Sequence, residues 1–590
     1  MPDRGELTPL HDVVAPRLAE LPSELKKQLT EEFWRRLDGD PFPDAGSPPP
    51  DWPEKRRIMD HLTGAVDELL AEHIHIAFDY DEIDAASRKY AQICQMLARL
   101  KNYPAYRVRY ANENGDHKIW HAKMKRIEQF CAAKSIEPPA VTKYGNERGR
   151  IRRACTVKFW RRRLIVHYGR RAEHATRKAG LVQRRRSIYV SGLAYRAHRQ
   201  KVAATDRWVK KCAVVSDAGD HLSLASVIEK SQANPALRRA ELMTRLRGFE
   251  EIAEELNHVG EFVTLTVPSE FHAMNAIGTP NQNYAGHTVR EAQAWLQKMW
   301  ARSRAQFKRK GITVYGFRIA EPHHDGTPHW HMVLFTMAHH RKPLRRVLAG
   351  HWLSEGGRDA GAKDHRIKFK AIDRTQGSAA GYLAKYIAKN IDGFEVGDDN
   401  ETDERSEPAS ADETNSRESV VTSRRVVAWA ALHGIRQFQQ IGGPPVGLWR
   451  ELRRIRKKVD HDIIERARLQ AEEKSWAGMV REVGGIAAGR NVAVRVWKEN
   501  LGTLSWYGEL QGDVPAGVMC GAFSVRSRFN VWRIMWERKD ENDSEEPQSN
   551  SRSVIPSYLG PVSITVLDAP LAGDPVLWSN PNETSMYGPN

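Results

Sequence analysis

The sequence predicts an α+β protein whose central domain, residues 258–392, is a ferredoxin-like antiparallel sheet with the element order β-α-β-β-α-β-α. In that stretch, short segments with alternating apolar and polar residues are separated by longer segments with apolar residues every three or four positions. The first pattern is typical of half-buried strands and the second of amphipathic helices. At 590 residues the chain is too long for one core, and we expect mainly helical regions on both sides of this domain.

Seven elements follow one another in the central domain. The strand pattern occurs in four segments, Glu261–Val267, Gly311–Ala320, His329–Thr336 and Arg366–Ile372. The helical pattern occurs in three segments, Val289–Lys308, Pro343–Leu353 and Ser378–Ile391. Ser378 is a favourable N-cap for the last helix, and Gly393 is placed to end it. The last helix is extra to the βαββαβ unit.

The rest of the chain divides by composition. Residues 1–135 are predicted to be mainly helical, with no function assigned, and residues 136–257 to be a basic, helical DNA-binding region. Residues 393–422 fall in a stretch with many acidic and few large apolar residues, which predicts a disordered linker. Residues 423–535 are predicted to form a C-terminal accessory domain, and residues 536–590 a loosely ordered tail.

Several protein classes are excluded by composition. No apolar run approaches the roughly 18 residues that span a bilayer, and the N-terminus does not have the pattern of a secretory signal. The five cysteines show no paired spacing, so we expect a cytoplasmic protein without disulfides or a cysteine zinc site. Residues 484–491 are rich in glycine but lack the Gly-Lys-Ser/Thr of a phosphate loop, so we expect no nucleoside triphosphate.

The net charge of +17 is concentrated in one block. Residues 141–211 contain 22 Lys or Arg and three acidic residues, which leaves the rest of the chain nearly neutral. The arginine triplets 161–163 and 184–186 are interleaved with aromatic residues, namely Phe159, Trp160, Tyr168, Tyr189, Tyr195 and Trp208. Cations neutralise phosphates and rings stack on bases, so we favour contact with nucleic acid over a merely solvated helix face.

Two histidines of a predicted strand form the first candidate site. His329 and His331 are two positions apart, so their imidazoles project from one face, where both could bind a metal ion. Glu321 on the preceding strand is a candidate third ligand, and His323 and His324 in the turn are rivals for that place. Two imidazoles and one carboxylate leave coordination positions open and suit Mg²⁺ or Mn²⁺ acting as a Lewis acid.

The turn between the two strands decides whether Glu321 can reach the histidines. A two-residue Asp-Gly turn would place Glu321 opposite Trp330, on the wrong face of the hairpin. A three-residue turn, 324–326, with Gly326 in the left-handed conformation pairs Glu321 with His329. The position of the glycine favours the three-residue turn.

The predicted helix after the last strand carries the second candidate site. At 100° per residue, Tyr382, Tyr386, Lys385 and Lys389 share one face. A separate apolar face consists of Leu383, Ile387 and Ile391. Because that face already supplies core residues, the tyrosines are free to meet a substrate rather than only to cover the core.

These motifs together resemble the HUH endonucleases and, among their two-tyrosine replication initiators, most closely the phage replication gene A protein family. The resemblance rests on three segments, Thr264-Leu-Thr266, Glu321-Pro-His-His-Asp-Gly-Thr-Pro-His-Trp-His331 and Tyr382-Leu-Ala-Lys-Tyr386-Ile-Ala-Lys389. Weaker similarity extends it over roughly residues 186–455. The first 135 residues and the tail add little.

The resemblance implies a metal-dependent endonuclease that nicks one strand of a phage replication origin to start rolling-circle replication. It implies that Glu321, His329 and His331 bind Mg²⁺ or Mn²⁺, and that two tyrosines, Tyr382 and Tyr386, act as alternating nucleophiles. Each would form a 5′-phosphotyrosine link and free a 3′-hydroxyl, and the reverse reaction would rejoin the strand.

Further expectations follow from that chemistry. Lys385 and Lys389 would bind the substrate phosphate and favour the phenolate. The expected partners are single-stranded or supercoiled origin DNA and the helicase and polymerase of the bacterial host. Two alternatives remain, a relaxase or single-strand transposase of the same fold and a non-catalytic origin-binding protein. Commoner relaxases place their tyrosine before the histidine motif, whereas here the tyrosines follow it.

Overall fold

The computed structural model describes residues 80–99, 113–143, 145–357, 361–373, 375, 378–391, 413–489, 491–536 and 566–567. These residues form a mixture of helices and antiparallel sheets, which confirms the predicted α+β class. None of the described helices has the length and apolar character needed to cross a membrane. The predictions for residues 1–79 and for most of the tail lie outside the described residues.

The described part of the chain contains fifteen α-helices and three short 3-10 helices. Helices α1 to α7 are Tyr80–Arg99, Glu113–Ala133, Glu147–Ala154, Val157–Lys178, Gly192–Val209, Leu224–Glu229 and Pro235–Glu255. Helices α8 to α12 are Val289–Arg309, Arg341–Trp352, Ala362–His365, Ala379–Lys389 and Glu413–His433. Helices α13 to α15 are Val446–Arg454, Asp462–Glu472 and Trp476–Glu482. Short 3-10 helices span Ser269–Phe271, Ala338–His340 and Ile486–Ala488.

The described strands form three sheets, all with antiparallel neighbours. Strands β1 to β6 are Cys212–Ser216, His221–Ser223, His258–Leu265, Tyr315–Pro322, Pro328–Met337 and Ile367–Ala371. Strands β7 to β12 are Phe438–Ile441, Val494–Glu499, Val514–Cys520, Phe523–Arg526, Val531–Trp536 and Val566–Leu567. The sheet orders are β12-β11-β1-β2, β10-β9-β8 and, for the central sheet, β6-β3-β5-β4-β7.

The central sheet follows the predicted order of elements. Strand β3, helix α8, strands β4 and β5, helix α9, strand β6 and helix α11 succeed one another as expected. Besides the short 3-10 helices, two further elements were outside the prediction, the four-residue helix α10 and strand β7 at the sheet edge. Each is four residues long, too short for either periodicity to be recognised.

One predicted strand, Gly311–Ala320, begins four residues later, at Tyr315. Gly311 has a φ of 63°, and the backbone N–H of Ile312 donates to the carbonyl of Phe307 at 2.9 Å. A glycine in the left-handed conformation followed by such a bond is a common way to end a helix. The first residues of the predicted strand therefore close helix α8.

The predicted disordered linker, residues 393–422, is wrong in its last ten residues. Helix α12 begins at Glu413 and continues to His433, and residues 392–412 are not among those described. Its C-terminal half is buried, with Val426 and Trp429 fully enclosed. Packing of that half stabilises the whole helix, including polar first turns that would not be helical alone. Strand β7 lies within the predicted accessory domain, residues 423–535, but it pairs with β4 and so belongs to the central sheet.

Strand β5 shows how the central sheet separates two cores. Met332 and Leu334 pack on the side of α8, α9 and α12, while Val333 and Phe335 pack on the side of α7 and α11. Because strand side chains alternate, the odd-numbered residues at the start of β5 also face α11. The histidine pair therefore points toward the helix with the two tyrosines.

The described chain after residue 445 contributes to two separate cores. Helices α13 to α15 and strands β8 and β9 contribute to the core on the α7 and α11 side. Strand β11 instead pairs with β1 in the basic region, where Cys212 lies opposite Trp536. The segment predicted as an accessory domain thus contributes to two different cores.

Arg177 of α4 is buried and holds the turn between β4 and β5. Its Nε donates to the carbonyl of Asp325 at 2.8 Å, and its Nη2 donates to Thr327 Oγ1 at 2.9 Å. From α12, Trp429 Nε1 donates to the carbonyl of Gly326 at 2.8 Å. Two helices distant in sequence thus fix the conformation of one three-residue turn.

Replacing Arg177 should destabilise the protein strongly. Burial alone raises the pKa of Asp325, but the charges of His272 and Arg177 hold it well below its usual range, so a buried carboxylate would lose a partner. We expect Arg177→Met to lower the free energy of unfolding by about 3 to 5 kcal/mol in urea denaturation. Arg162→Met, on an exposed position of the same helix, is the control, and an equal loss there would contradict the anchoring role.

His433 should make stability depend on pH. Burial lowers its pKa well below the ordinary value, and the charges of Arg177, Arg170 and Arg290 lower it further. The unfolded chain, with a pKa near 6.5, binds a proton that the folded state does not. This contribution is fully present above about pH 6.5 and is lost as the pH falls.

Thermal unfolding from pH 7.5 to 5 in a non-phosphate buffer tests this pH dependence. The midpoint should fall less steeply for His433→Gln than for the wild type, because the variant lacks the titrating group. Parallel curves would exclude His433 as the source.

Candidate metal and nuclease site

The hairpin of β4 and β5 brings Glu321, His329 and His331 together. Glu321 lies directly opposite His329, and Gly326 in the turn has a φ of 79°, which confirms the predicted three-residue turn. His329 Nε2 and His331 Nε2 are 3.0 Å apart, and the ligand atoms of all three residues lie within 4.8 Å of one another. All three side chains are buried.

This cluster has the composition and spacing of a divalent metal site. Neighbouring ligands about 2.1 Å from an octahedral ion are about 3.0 Å apart, which matches the two imidazole nitrogens. Burial lowers the pKa of His329 well below its usual value, and the charges of His323, His331 and Lys389 lower it further. A neutral imidazole keeps the lone pair that a metal requires.

Further contacts orient the three candidate ligands. Thr264 Oγ1 lies 3.2 Å from His331 Nδ1, the nitrogen that does not face His329. Asn390 Nδ2 donates to Glu321 Oε1, and Lys389 Nζ lies 3.4 Å from Glu321 Oε2. Such partners fix the rotamers of metal ligands and hold them in place.

The two rival histidines in the turn occupy different positions. His324 Nε2 lies 3.1 Å from the carbonyl oxygen of Asn275, outside the cluster. The His323 ring lies 4.0 Å from the ring of His329, between centroids, but His323 is not part of the described three-residue group. Glu321 is therefore the better-placed third ligand.

Helix α11 carries both tyrosines to this cluster. The Tyr386 ring lies 4.1 Å from the ring of His331, between centroids, at an angle of 32°. Phe262 of β3 packs near both phenol rings, 5.7 Å from Tyr386 and 6.2 Å from Tyr382. Lys370 Nζ lies 5.3 Å from the Tyr382 ring centre. Tyr386 is thus beside the histidines, and Tyr382 lies one turn further along.

The opposite face of α11 fixes the helix to the core. Leu383, Ile387 and Ile391 are buried there, as the helical periodicity predicts. Ser378 Oγ accepts from the N–H of Gly381 at 2.9 Å, which confirms the predicted N-cap. Packing and capping together leave the phenol face directed toward the hairpin.

Three polar residues that position the site were not found from the sequence. The carboxylate of Glu250 on α7 accepts from the N–H groups of Ala379 and Ala380, at the start of α11. Asn390 Oδ1 accepts from Gln437 Nε2 at 2.8 Å, at the other end. Asn390 could have been recognised in the sequence by its position one turn after Tyr386, beside the apolar face. No sequence pattern points to Glu250 or Gln437.

The two lysines of the tyrosine helix have different surroundings. Lys385 is exposed to solvent. Lys389 is only 4% exposed, and its ammonium lies between Glu321 and the ring of Tyr189, 5.0 Å from the ring centre. Lys389 therefore balances the charge of the carboxylate in this structure.

Part of the basic block is structural. Trp160 and Tyr189 are fully buried, so the prediction that they stack on bases is wrong. Arg161 is also buried and forms an ion pair with Asp84. Helical periodicity explains the error at Trp160, because buried and exposed positions alternate every few residues along a basic helix. Tyr189 lies outside the helices, in the segment between α4 and α5, and its burial comes from tertiary packing. Exposed cations remain at Arg162, Arg184 and Arg185.

Comparison with known proteins gives a consistent result. Residues 80–394, more than half of the chain, match the family described as bacteriophage replication gene A protein (GPA). The chain is 37% identical over 458 residues to the replication gene A protein of Escherichia phage 186, covering 74% of this chain and 62% of that protein. It is 38% identical over 397 residues to the replication protein of Haemophilus phage HP1, covering 66% and 49%.

A bacterial relative carries a more specific name. The chain is 32% identical over 328 residues to a probable replication endonuclease from a prophage-like region of Salmonella paratyphi A, covering 55% of this chain and 39% of that protein. The chain thus spans only between about two fifths and three fifths of the length of these relatives. No solved structure matches it.

The family match contains the whole candidate site, from the hairpin with its carboxylate and two histidines to the helix with both tyrosines. The sequence motifs, the geometry of the site and the relatives agree. The chain belongs to the bacteriophage replication gene A protein family.

Proposed function

We propose that this chain is a strand-specific DNA endonuclease and ligase that nicks a phage replication origin to start rolling-circle replication. The observation that carries the proposal is the position of Tyr386, whose ring packs 4.1 Å from the ring of His331. A nucleophile thereby lies directly beside a group fit to bind a divalent metal. Relatives are named as a replication gene A protein and as a probable replication endonuclease, which supports the same function.

In the proposed reaction a phenol oxygen attacks the scissile phosphorus. The phenol loses its proton, a bond forms between tyrosine and phosphorus, and the bond to the 3′ oxygen breaks. The departing oxygen takes up a proton, which leaves a 3′-hydroxyl for a polymerase and a 5′-phosphotyrosine on the protein. A divalent metal held by Glu321, His329 and His331 would stabilise negative charge on the phosphate.

Other residues of the chain position the groups that take part in this reaction. Thr264 and Asn390 fix His331 and Glu321, and Phe262 packs near both phenol rings. Because the phosphodiester is exchanged for a phosphotyrosine ester, the reverse reaction rejoins DNA without a nucleoside triphosphate. We propose single-stranded or supercoiled origin DNA as the substrate, with the helicase and polymerase of the bacterial host as partners in its cytoplasm.

Incubation with supercoiled origin DNA tests the proposal. The full chain and Mg²⁺ or Mn²⁺ should convert a plasmid that carries the origin into an open circle with protein attached to the new 5′ end. A non-catalytic origin-binding protein would leave the circle closed. A relaxase of the commoner kind would cut at a transfer origin rather than at a replication origin.

Changing the metal ligands should separate cutting from binding. We expect Glu321→Ala and His331→Ala to abolish nicking while most of the affinity for DNA remains, because the exposed cations of the basic region are unchanged. Gel-shift and nicking assays on one oligonucleotide measure both properties. His324→Ala is the control, and near wild-type nicking by either ligand variant would refute the assignment.

The two tyrosines should be partly interchangeable. Both lie on the same face of α11 near Phe262, so each could reach the phosphate after a small shift. We expect Tyr382→Phe and Tyr386→Phe each to retain some nicking of a single-stranded origin oligonucleotide and neither to complete repeated rounds of replication. Because Tyr386 lies nearer to His331, its loss should slow the first cut more.

The double variant, Tyr382→Phe with Tyr386→Phe, should form no covalent adduct. Phenylalanine keeps each ring in place and removes only the nucleophilic oxygen. A 5′-linked adduct with the double variant, seen by mass spectrometry, would show that another residue is the nucleophile.

A further inference from the structure

A cavity of about 200 Å³ lies outside the nuclease site, where α4, the start of α8 and the end of α12 meet. Its polar lining consists mainly of cationic and imidazole side chains from these helices, Arg170, Arg171, His174, Arg177, Arg290 and His433. The floor is buried at Arg177 and His433, and the rim is exposed at Arg171 and Arg290. The cavity is therefore open to solvent on one side.

Positive charge in this cavity is not balanced by its lining. No acidic residue is among the described residues that line it. Burial and the charge of Arg290 lower the pKa of Arg170 to about 10, although the charge of Glu137, outside the lining, acts in the opposite direction. The neighbouring carboxylate of Glu291 accepts hydrogen bonds from the N–H and Oγ1 of Thr288, at 2.7 and 2.8 Å, as part of a capping box. An anion in the cavity would relieve the repulsion between these cations.

The guanidinium groups are held in place around the cavity. Arg170 Nε donates to the carbonyl of Leu432 at 2.8 Å, and Arg290 Nη1 donates to the carbonyl of His433 at 2.8 Å. Both groups approach Gly434, where a Cβ atom would lie 3.1 Å from Arg170 Nη2. A guanidinium has five N–H donors, so each retains donors beyond the bond that fixes it.

His433 gives an independent indication of a ligand. Its side chain is 4% exposed and lines the cavity, and its buried Nε2 has no hydrogen-bond partner. A buried polar nitrogen without a partner is costly, and an anion oxygen in the cavity would accept from it. The first N–H groups of α8, a helix of 21 residues, add a favourable dipole at the same place.

We propose that this cavity binds a phosphodiester group of the DNA strand, away from the phosphate that is cut. Its donors match phosphate oxygens, and its exposed rim would admit a polymer backbone. Arg177 contributes to the cavity and also holds the turn that sets the position of Glu321. A phosphate bound there anchors the strand relative to the nuclease site. That the bound phosphate belongs to a DNA strand, rather than to free phosphate, rests on the proposed function.

A scan with neutral methylphosphonate linkages tests the proposal. Affinity of the full chain for a single-stranded origin oligonucleotide is measured without divalent metal, so that the strand stays intact. In the wild type, binding should weaken roughly tenfold when the linkage at one particular position, distant from the nick, is replaced by the neutral one. Arg290→Gln should bind the unmodified strand roughly tenfold more weakly and show no further loss at that position.

Matched variants control for folding and for general charge. Arg304→Gln removes an exposed arginine from the same helix and should keep the wild-type scan. Should Arg290→Gln fail to fold, Arg171→Gln on the exposed rim replaces it. An unchanged scan in the cavity variants overturns the proposal.

Inorganic phosphate tests whether the cavity binds phosphate at all, independently of DNA. At constant ionic strength, phosphate should raise the melting temperature of the wild type and of Arg304→Gln but not of the cavity variants. A melting shift without any sensitive position in the scan would mean that the cavity binds free phosphate, which overturns the DNA assignment. If the scan finds a sensitive linkage but the protein does not nick the strand after Mg²⁺ is added, the phosphate site in the cavity is supported and the proposed function is rejected.

Discussion

The register of one hairpin is the constraint on which the candidate site depends. Strand side chains alternate between faces, so a slip of one residue between β4 and β5 would move Glu321 away from both histidines. The turn alone is three residues long and does not supply enough contacts to prevent this. Its conformation is instead held by Arg177, buried under the turn, and by Trp429. Residues about 100 to 150 positions away in sequence therefore set the geometry of the site.

The carboxylate of Glu321 joins the hairpin to the helix with the tyrosines. One oxygen accepts from Asn390 and the other lies near Lys389, both at the end of α11. At its start the same helix is held by Glu250 from α7. The two tyrosines and the cluster of Glu321, His329 and His331 are thus held in one arrangement, as the proposed reaction on a positioned phosphate would require.

Features set by residues that are close together in the sequence could be predicted from it. The order of elements, the three-residue turn, the N-cap at Ser378 and the apolar face of α11 all follow from local periodicity or local backbone preference. Apart from the late start of β4, which follows from the local end of α8 at Gly311, the errors concern tertiary contacts. Trp160 is enclosed by a core that the sequence does not reveal, and α12 is stabilised by burial of its second half. The partners of Arg177 are likewise invisible in a linear pattern.

The pairing of β1 with β11 has a consequence for synthesis of the protein on the ribosome. Cys212 and Trp536 lie opposite one another although more than 300 residues separate them in the chain. The second strand is translated long after the first, so the pair cannot form until then. The basic region therefore emerges with an unpaired strand edge, which stays open to wrong partners until nearly the whole described chain has been made.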